Sequence, residues 1–379
     1  MDLYPNLLLW LLIGLVLGVV IYLLLTPSVP LANQSETIPN QTLENITTQK
    51  QPVTLVVLNA PCEDCNYANA SIQQVISFLS NSSNISLSEV KIFDYPSDDA
   101  ELLIEKYNIT ELPCLVVVGN QGADQRLASI WVQNVGTNEL DGTLVSRNVY
   151  PPYYNLSEQK AYGLIKAVVI HASNCDSCID ADEYLTSLED ISVGFVFVNK
   201  TVLYENDSLA QTYIEAYNIT KLPVLILDDG FLAYPIASNI LALGNIEQDG
   251  WFVLRDIRPP YEEIPSRQIR GLVDAIYLSN GSCADCFNPS DLGHYLAESA
   301  AVVLNNETSY DVSSTEGQAL VEKYNLSHVP AVLFSPEMSI YQSFAFAWTN
   351  TNNTIESDGW FVFRNYDLIN QTYQNITSG

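Results

Sequence analysis

The chain has 379 residues, more than one ordinary domain, and its net charge of −29 comes from 15 Lys+Arg against 44 Asp+Glu. Charged residues are only 16% of the total, so bases are depleted rather than acids enriched. That argues against nucleic acid or an anionic membrane surface as partner, since both reward clustered Lys and Arg, and against an acid-loaded halophile surface. A low-charge surface rich in Asn, Ser, Thr and Tyr suits the exterior of a cell.

Taken in order, residues 7–25 carry no charge, and at about 1.5 Å per residue they match a hydrocarbon core of about 30 Å, which predicts a transmembrane anchor over residues 1–26. A cleaved signal peptide is the alternative, but the region before it holds Asp2 and no base, and its apolar run is too long. Tyr4, Trp10 and Tyr22 fall near the ends, as interfacial aromatics do. Gly14 and Gly18 form a G-x-x-x-G step through which two such helices can pack as a homodimer, although glycines are common in membrane helices in any case. No Lys or Arg precedes Lys50, so charge does not orient the anchor. Seventeen Asn-x-Ser/Thr sequons do, from Asn33 to Asn375, and they predict a glycosylated chain that lies outside the cytoplasm beyond Thr26, in a single-pass cell-membrane protein. Residues 27–51, with Pro27, Pro30, Pro39 and three sequons, read as a stalk.

From Val53 the pattern alternates strand and helix. A strand over Val53 to Leu58 leads to Cys62-Glu63-Asp64-Cys65 and a helix expected from about Cys62 to Leu79, with Ile72, Val75, Ile76 and Leu79 at helical spacing. A strand from Val90 to Phe93, a helix from Asp98 to Tyr107 and a strand from Leu115 to Val118 follow. Such alternation implies a sheet with parallel strands and helices on both faces. Next comes Glu139-Leu140-Asp141-Gly142 and an apolar run to Arg147, which reads as a hairpin with a Glu–Arg pair.

This unit occurs three times. Cys175-Asp176-Ser177-Cys178 and Cys283-Ala284-Asp285-Cys286 follow their own apolar runs, and EKYNITELP, EAYNITKLP and EKYNLSHVP end at Pro113, Pro223 and Pro330. Glu247 to Arg255 and Glu356 to Arg364 repeat the hairpin, with Trp251 and Trp360 after the Asp-Gly step. Unlike motifs locked in phase over three periods define a tandem repeat: residues 52–160, 161–268 and 269–379. Pro151-Pro152-Tyr153 and Pro259-Pro260-Tyr261 mark the joins, because Pro-Pro continues neither a helix nor a central strand.

Strand, then C-x-x-C, then a distant Tyr-x-Ile-x-x-x-Pro leading into an apolar strand resembles the thioredoxin fold, in a plan similar to membrane-anchored protein disulfide isomerases. The resemblance implies three tandem α/β domains, each a mixed sheet flanked by helices. It further implies cis peptide bonds before Pro113, Pro223 and Pro330, which would flank the cysteine pairs, limit metal capture and help dock an extended substrate. Cys62, Cys175 and Cys283 would be exposed attacking thiols, and Cys65, Cys178 and Cys286 buried resolving partners. The partners implied are thiols and disulfides of secreted or surface proteins.

The sequence departs from that family's active members. Pro61, Asn174 and Ser282 stand where a Trp precedes the first cysteine, no Gly-Pro separates the pairs, and Val56, Val169 and Tyr277 replace a buried acid. Glu63, Asp64, Asp176 and Asp285 place negative charge beside any thiolate and disfavour it. A cysteine on a helix's first turn would gain the opposite effect from unpaired N–H groups. Three readings of the pairs therefore stand: redox exchange, structural disulfides in a surface scaffold or adhesion protein, and metal ligation. Cys114, the seventh cysteine, follows Pro113 and reads as a buried small residue or an accessory thiol. His171 and His328 can each approach a pair, but no unit offers the four ligands zinc prefers, so neither a metal nor a cofactor is expected.

Overall fold

In the first strand, Val53, Leu55 and Val57 pack into one apolar cluster and Val56 and Leu58 into another. With side chains alternating at period two, both faces of that strand must be covered, which places it inside a sheet. The computed structural model describes residues 50–82, 84–119, 124–190, 194–369 and 371–376. The expected anchor at residues 7–25, with Gly14 and Gly18, and most of the stalk lie outside the described residues. Among the described residues, no helix is long and apolar enough to cross a membrane.

The chain is mixed α/β. Strand β1 (Gln51–Asn59) pairs parallel with β2 (Ile85–Asp94) and antiparallel with β4 (Cys114–Gly119), which continues through β6 (Leu144–Ser146) to β5 (Gly136–Asn138). Only the first pairing is parallel, so the sheet is mixed, and the apolar run of β1 sits second from the edge. Helices Asn69–Ser80 and Gln125–Asn134 cover the face bearing Leu55 and Val57, through Ile72, Leu79, Leu127 and Trp131. Helix Asp98–Tyr107 covers the other through Ala100 and Tyr107. The short strand β3 (Glu111–Leu112), just before Pro113, lies outside this sheet.

The same order recurs twice. One further five-stranded sheet runs, in spatial order, β10 (Val196–Tyr204), β9 (Leu164–His171), β12 (Val224–Leu227), β14 (Phe252–Leu254) and β13 (Gly244–Ile246). Another runs β18 (Val303–Asp311), β17 (Leu272–Ser279), β20 (Ala331–Phe334), β22 (Phe361–Val362) and β21 (Thr354–Ile355). The counterparts of β3 are β11 (Lys221–Leu222) and β19 (His328–Val329). This repeated order and direction is consistent with thioredoxin-like units.

The repeated sequence signatures explain themselves locally. Asn108, Asn218 and Asn325, each opening a sequon, take φ of 50°, 49° and 47° just past a helix, the left-handed position where Asn is tolerated. Arg147 donates to the carbonyls of Tyr107 and Asn108 at the end of one such helix and to Glu139 at 3.0 Å. Arg255 and Arg364 repeat this with Glu247 at 2.6 Å and Glu356 at 2.8 Å. The Glu–Arg pair of each hairpin therefore also caps a helix C-terminus. Trp251 and Trp360 pack half-buried against the cores.

The Pro-Pro steps differ from the expected joins. Each is followed by a hairpin, β7 (Tyr153–Asn155) with β8 (Lys160–Tyr162), and β15 (Tyr261–Glu263) with β16 (Gln268–Arg270). The chain passes into the next sheet at Gly163 (φ 84°) and Gly271 (φ 86°). A Cβ at either would meet Pro151 at 2.6 Å or Pro259 at 2.4 Å, so the turn demands glycine.

Candidate active site

The three cysteine pairs are disulfides, Cys62–Cys65, Cys175–Cys178 and Cys283–Cys286, with Cα separations of 5.4, 5.3 and 5.4 Å. Each closes a turn in which the second cysteine's N–H donates to the first one's carbonyl, at 3.1, 3.3 and 3.4 Å.

The helix does not begin at the cysteines. Residues Glu63–Cys65 form a separate 3-10 turn, and the helices start at Asn69, Ala181 and Pro289, six or seven residues after the first cysteine. Asp180 and Asn288 cap their helices by accepting from Asp182 N–H and Ser290 N–H, and Pro289 presets the first helical turn. A helix N-terminus acts within its first turn, so it gives Cys62, Cys175 and Cys283 little of the expected thiolate stabilisation. The expected exposed and buried roles also hold only in part. Cys65 is buried, while Cys62, Cys175, Cys178, Cys283 and Cys286 are all half-buried, so none of the three expected attacking cysteines is fully exposed and only the first unit buries its second cysteine.

The peptide bonds before Pro113, Pro223 and Pro330 are cis. In the second unit Cys178 Sγ lies 4.0 Å from the carbonyl oxygen of Leu222, next to Pro223. In the first, Cys65 shares an apolar cluster with Leu112 and Cys114. Two tyrosines that sequence reasoning passed over hold these loops: Tyr67 donates to the Pro113 carbonyl at 3.3 Å and Tyr366 to the Pro330 carbonyl at 2.8 Å. Burial raises both hydroxyls above their ordinary pKa, so both stay donors. The signal for Tyr67 was its place two residues after Cys65.

Cys114 is fully buried, with Ser146 Oγ donating to its sulfur at 3.4 Å and its own S–H directed to the Ser146 carbonyl at 3.5 Å. Burial pushes the thiol up to about 11 against the partial relief of the Ser146 hydroxyl, so it is neutral at physiological pH. Placed so, it acts as a core residue. An accessory role would require local opening.

The edge expected to dock an extended substrate is filled by the chain itself. Strand β3 pairs with β7, β11 with β15, and β19 with β23 (Gln374–Asn375). These pairings set Leu112 against Tyr154, Leu222 against Glu262, and Val329 against Gln374, each just before a cis-proline. The same segments reach the disulfide turns: Ile179 N–H donates to the Pro260 carbonyl at 3.4 Å, and Phe287 N–H to that of Thr372 at 3.1 Å.

The histidines are placed differently from one another. His328 bonds Ser327 through Nδ1 at 2.8 Å and packs on Tyr366 and Tyr373. His171 Nε2 lies 3.6 Å from an Asp182 carboxylate oxygen, and with Asp180 these form the one group of three metal-ligating side chains among the described residues. Asp180 already caps its helix, and the group is short of four ligands.

No family model matches the chain, and no curated protein matches it. Among solved structures, ERdj5 form II aligns with 82% of this chain and 43% of its own at 12% identity and a TM-score of 0.15. Human ERp44 aligns with 79% of this chain and 88% of its own at 10% identity and a TM-score of 0.14. The alkylhydroperoxide reductase protein AhpF of Enterococcus faecalis aligns with 48% of this chain and 83% of its own at 16% identity and a TM-score of 0.15. The chain thus spans under half the length of ERdj5, and likenesses of this low score establish neither a shared fold nor a shared activity.

Proposed function

We propose that this protein is a membrane-anchored, glycosylated, extracytoplasmic thiol–disulfide oxidoreductase or isomerase built of three tandem thioredoxin-like domains. The observation that carries the reading is the threefold placement of a Cys-x-x-Cys disulfide beyond the end of a central strand, in units that each carry a cis-proline loop. In the disulfide form, a substrate thiolate attacks the sulfur of Cys62, Cys175 or Cys283 and releases the thiolate of Cys65, Cys178 or Cys286. A second substrate thiolate then attacks the substrate sulfur of the mixed disulfide. The substrate leaves as a disulfide and the pair as a dithiol, two electrons having moved to the protein. Isomerisation starts from the dithiol, whose thiolate attacks a substrate disulfide and is released again when the substrate re-pairs.

A second reading has its own support. Each docking edge is occupied by the chain's own strand, which favours a non-catalytic surface scaffold with structural disulfides. The deciding experiment equilibrates the full-length protein in graded thiol buffers, traps free thiols and measures each pair by mass spectrometry. Any pair with a midpoint above about −250 mV supports exchange in that unit, and all three below about −300 mV supports the scaffold. Anchoring and orientation are tested in the same preparation, by membrane extraction and by the mobility shift on enzymatic removal of N-glycans.

A further inference from the structure

Beside the second disulfide lies a cleft of about 410 Å³ lined by Asn174, Glu205, Asn206, Glu262, Arg267 and Ile269. Asn174 is the residue before Cys175. Two of the lining side chains are carboxylates almost wholly withdrawn from water, Glu205 at 1% and Glu262 at 3% exposure. Arg267, at the turn of the β15–β16 hairpin, reaches across both, bonding Glu205 and lying 3.2 Å from Glu262 Oε1. Its side chain remains 58% exposed. The second oxygen, Glu262 Oε2, is buried and is the one such side-chain atom without a hydrogen-bond partner among the described residues.

The three units place different chemistry at this spot. Glu262 pairs with Leu222 as Tyr154 pairs with Leu112 and Gln374 with Val329. Glu205 donates its N–H to the end of β9 as Tyr95 does to that of β1 and Val312 to that of β17. The first unit fills the position with the aromatic contact of Tyr95 and Tyr154, ring centroids 6.2 Å apart. The third has Val312 and Gln374. Only the second has two acids.

We propose that this cleft is a recognition subsite for a lysine or arginine side chain of a protein engaged at Cys175–Cys178. Two buried carboxylates against one guanidinium leave a negative charge uncompensated, which is costly to hold out of water. One monovalent cation neutralises it, and an ammonium or guanidinium N–H supplies the donor that Glu262 Oε2 lacks. The volume admits such a side chain. A divalent ion fits less well, because the guanidinium already bridging both carboxylates repels it. At a net charge of −29 the protein also attracts basic partners at long range. The proposal rests on the exchange reading for its biological use, but its recognition step is measured without exchange.

The test uses the full-length protein and fluorescent hexapeptides in which serine replaces cysteine and one neighbouring residue is Lys, Arg or norleucine. Fluorescence anisotropy should show the Lys and Arg peptides binding about tenfold tighter than the norleucine peptide. Glu262→Gln should abolish that preference, while Arg267→Gln, which removes the competing cation, should increase it. The second variant keeps the test decisive if the first fails to fold. Equal affinity for all three peptides in the wild type, or calcium binding that Glu262→Gln abolishes without any peptide preference, would overturn the proposal. Failure of exchange with the cysteine-containing peptides would overturn the oxidoreductase reading and leave the binding preference standing.

Discussion

Cys178 Sγ lies 4.0 Å from the carbonyl oxygen of Leu222, the residue joined to Pro223 by a cis peptide bond. The contact brings together a turn that follows β9 and a loop that precedes β12, and it distinguishes the two sulfurs of the pair. Cys178 faces the cis-proline loop, and under the proposed exchange Cys175 is the sulfur that a substrate thiolate would attack. In the reduced protein, Cys178→Ser should therefore trap substrate as a stable mixed disulfide on Cys175, visible on a non-reducing gel. Cys175→Ser should trap none. Either change should lower stability by about 2 kcal/mol, the entropy a loop this short removes from the unfolded chain.

The strand β23 covers the cis-proline edge of the third unit, and Thr372 bonds the turn carrying Cys286. Removing residues 371–379 should uncover Cys283–Cys286 alone. A few backbone bonds, at roughly 0.5–1.5 kcal/mol each, correspond to about tenfold faster reduction of that disulfide by dithiothreitol. Cys62–Cys65 should be reduced at its original rate. Equal rates for Cys283–Cys286 before and after truncation would show that the strand does not guard the pair.

Cys114 should resist iodoacetamide at pH 8 in the native state and react fully once the protein is unfolded. Its folded pKa is raised to about 11 from 9.0, so the unfolded state ionises first as pH rises. This contribution to stability is complete below about 9 and is lost between about 9 and 11. Cys114→Ala should lose that part of the alkaline decline and cost about 1 kcal/mol at neutral pH through the cavity it leaves.

Arg364 donates to the Tyr324 carbonyl and Thr354 hydroxyl, each at 2.6 Å, and to Glu356 at 2.8 Å, so Arg364→Ala should cost about 2 kcal/mol in thermal unfolding. The matching pair in the first unit gives a pH signature. The Thr137 hydroxyl, and after it Arg147, hold the Glu139 carboxyl below its ordinary 4.5, so its stabilisation is present above that value and is lost as pH falls beneath it. Arg147→Ala should flatten the acid limb of the melting curve.

Much of this architecture was legible in order along the chain. Val224–Leu227, Ala331–Phe334 and Asp98–Tyr107 form the elements their apolar periods predict, and the Asp-Gly steps form the hairpins, because those signals lie within a few residues of each other. The spacing of the cysteines likewise fixed which pairs could close.

What the sequence by itself determined was the mixed α/β repeat and the chemistry repeated within it. Tertiary structure decided where that chemistry operates. The pattern over Ile72 to Leu79 suited a helix beginning at Cys62, but Asp180 and Asn288 cap the equivalent helices later, and cap geometry depends on backbone angles that periodicity does not record. The strands that fill the cis-proline edges, and the meeting of Glu205, Glu262 and Arg267 beside Cys175, come from pairings between distant segments. Such pairings leave no local trace, because each acid alone reads as an ordinary surface residue until the fold buries it.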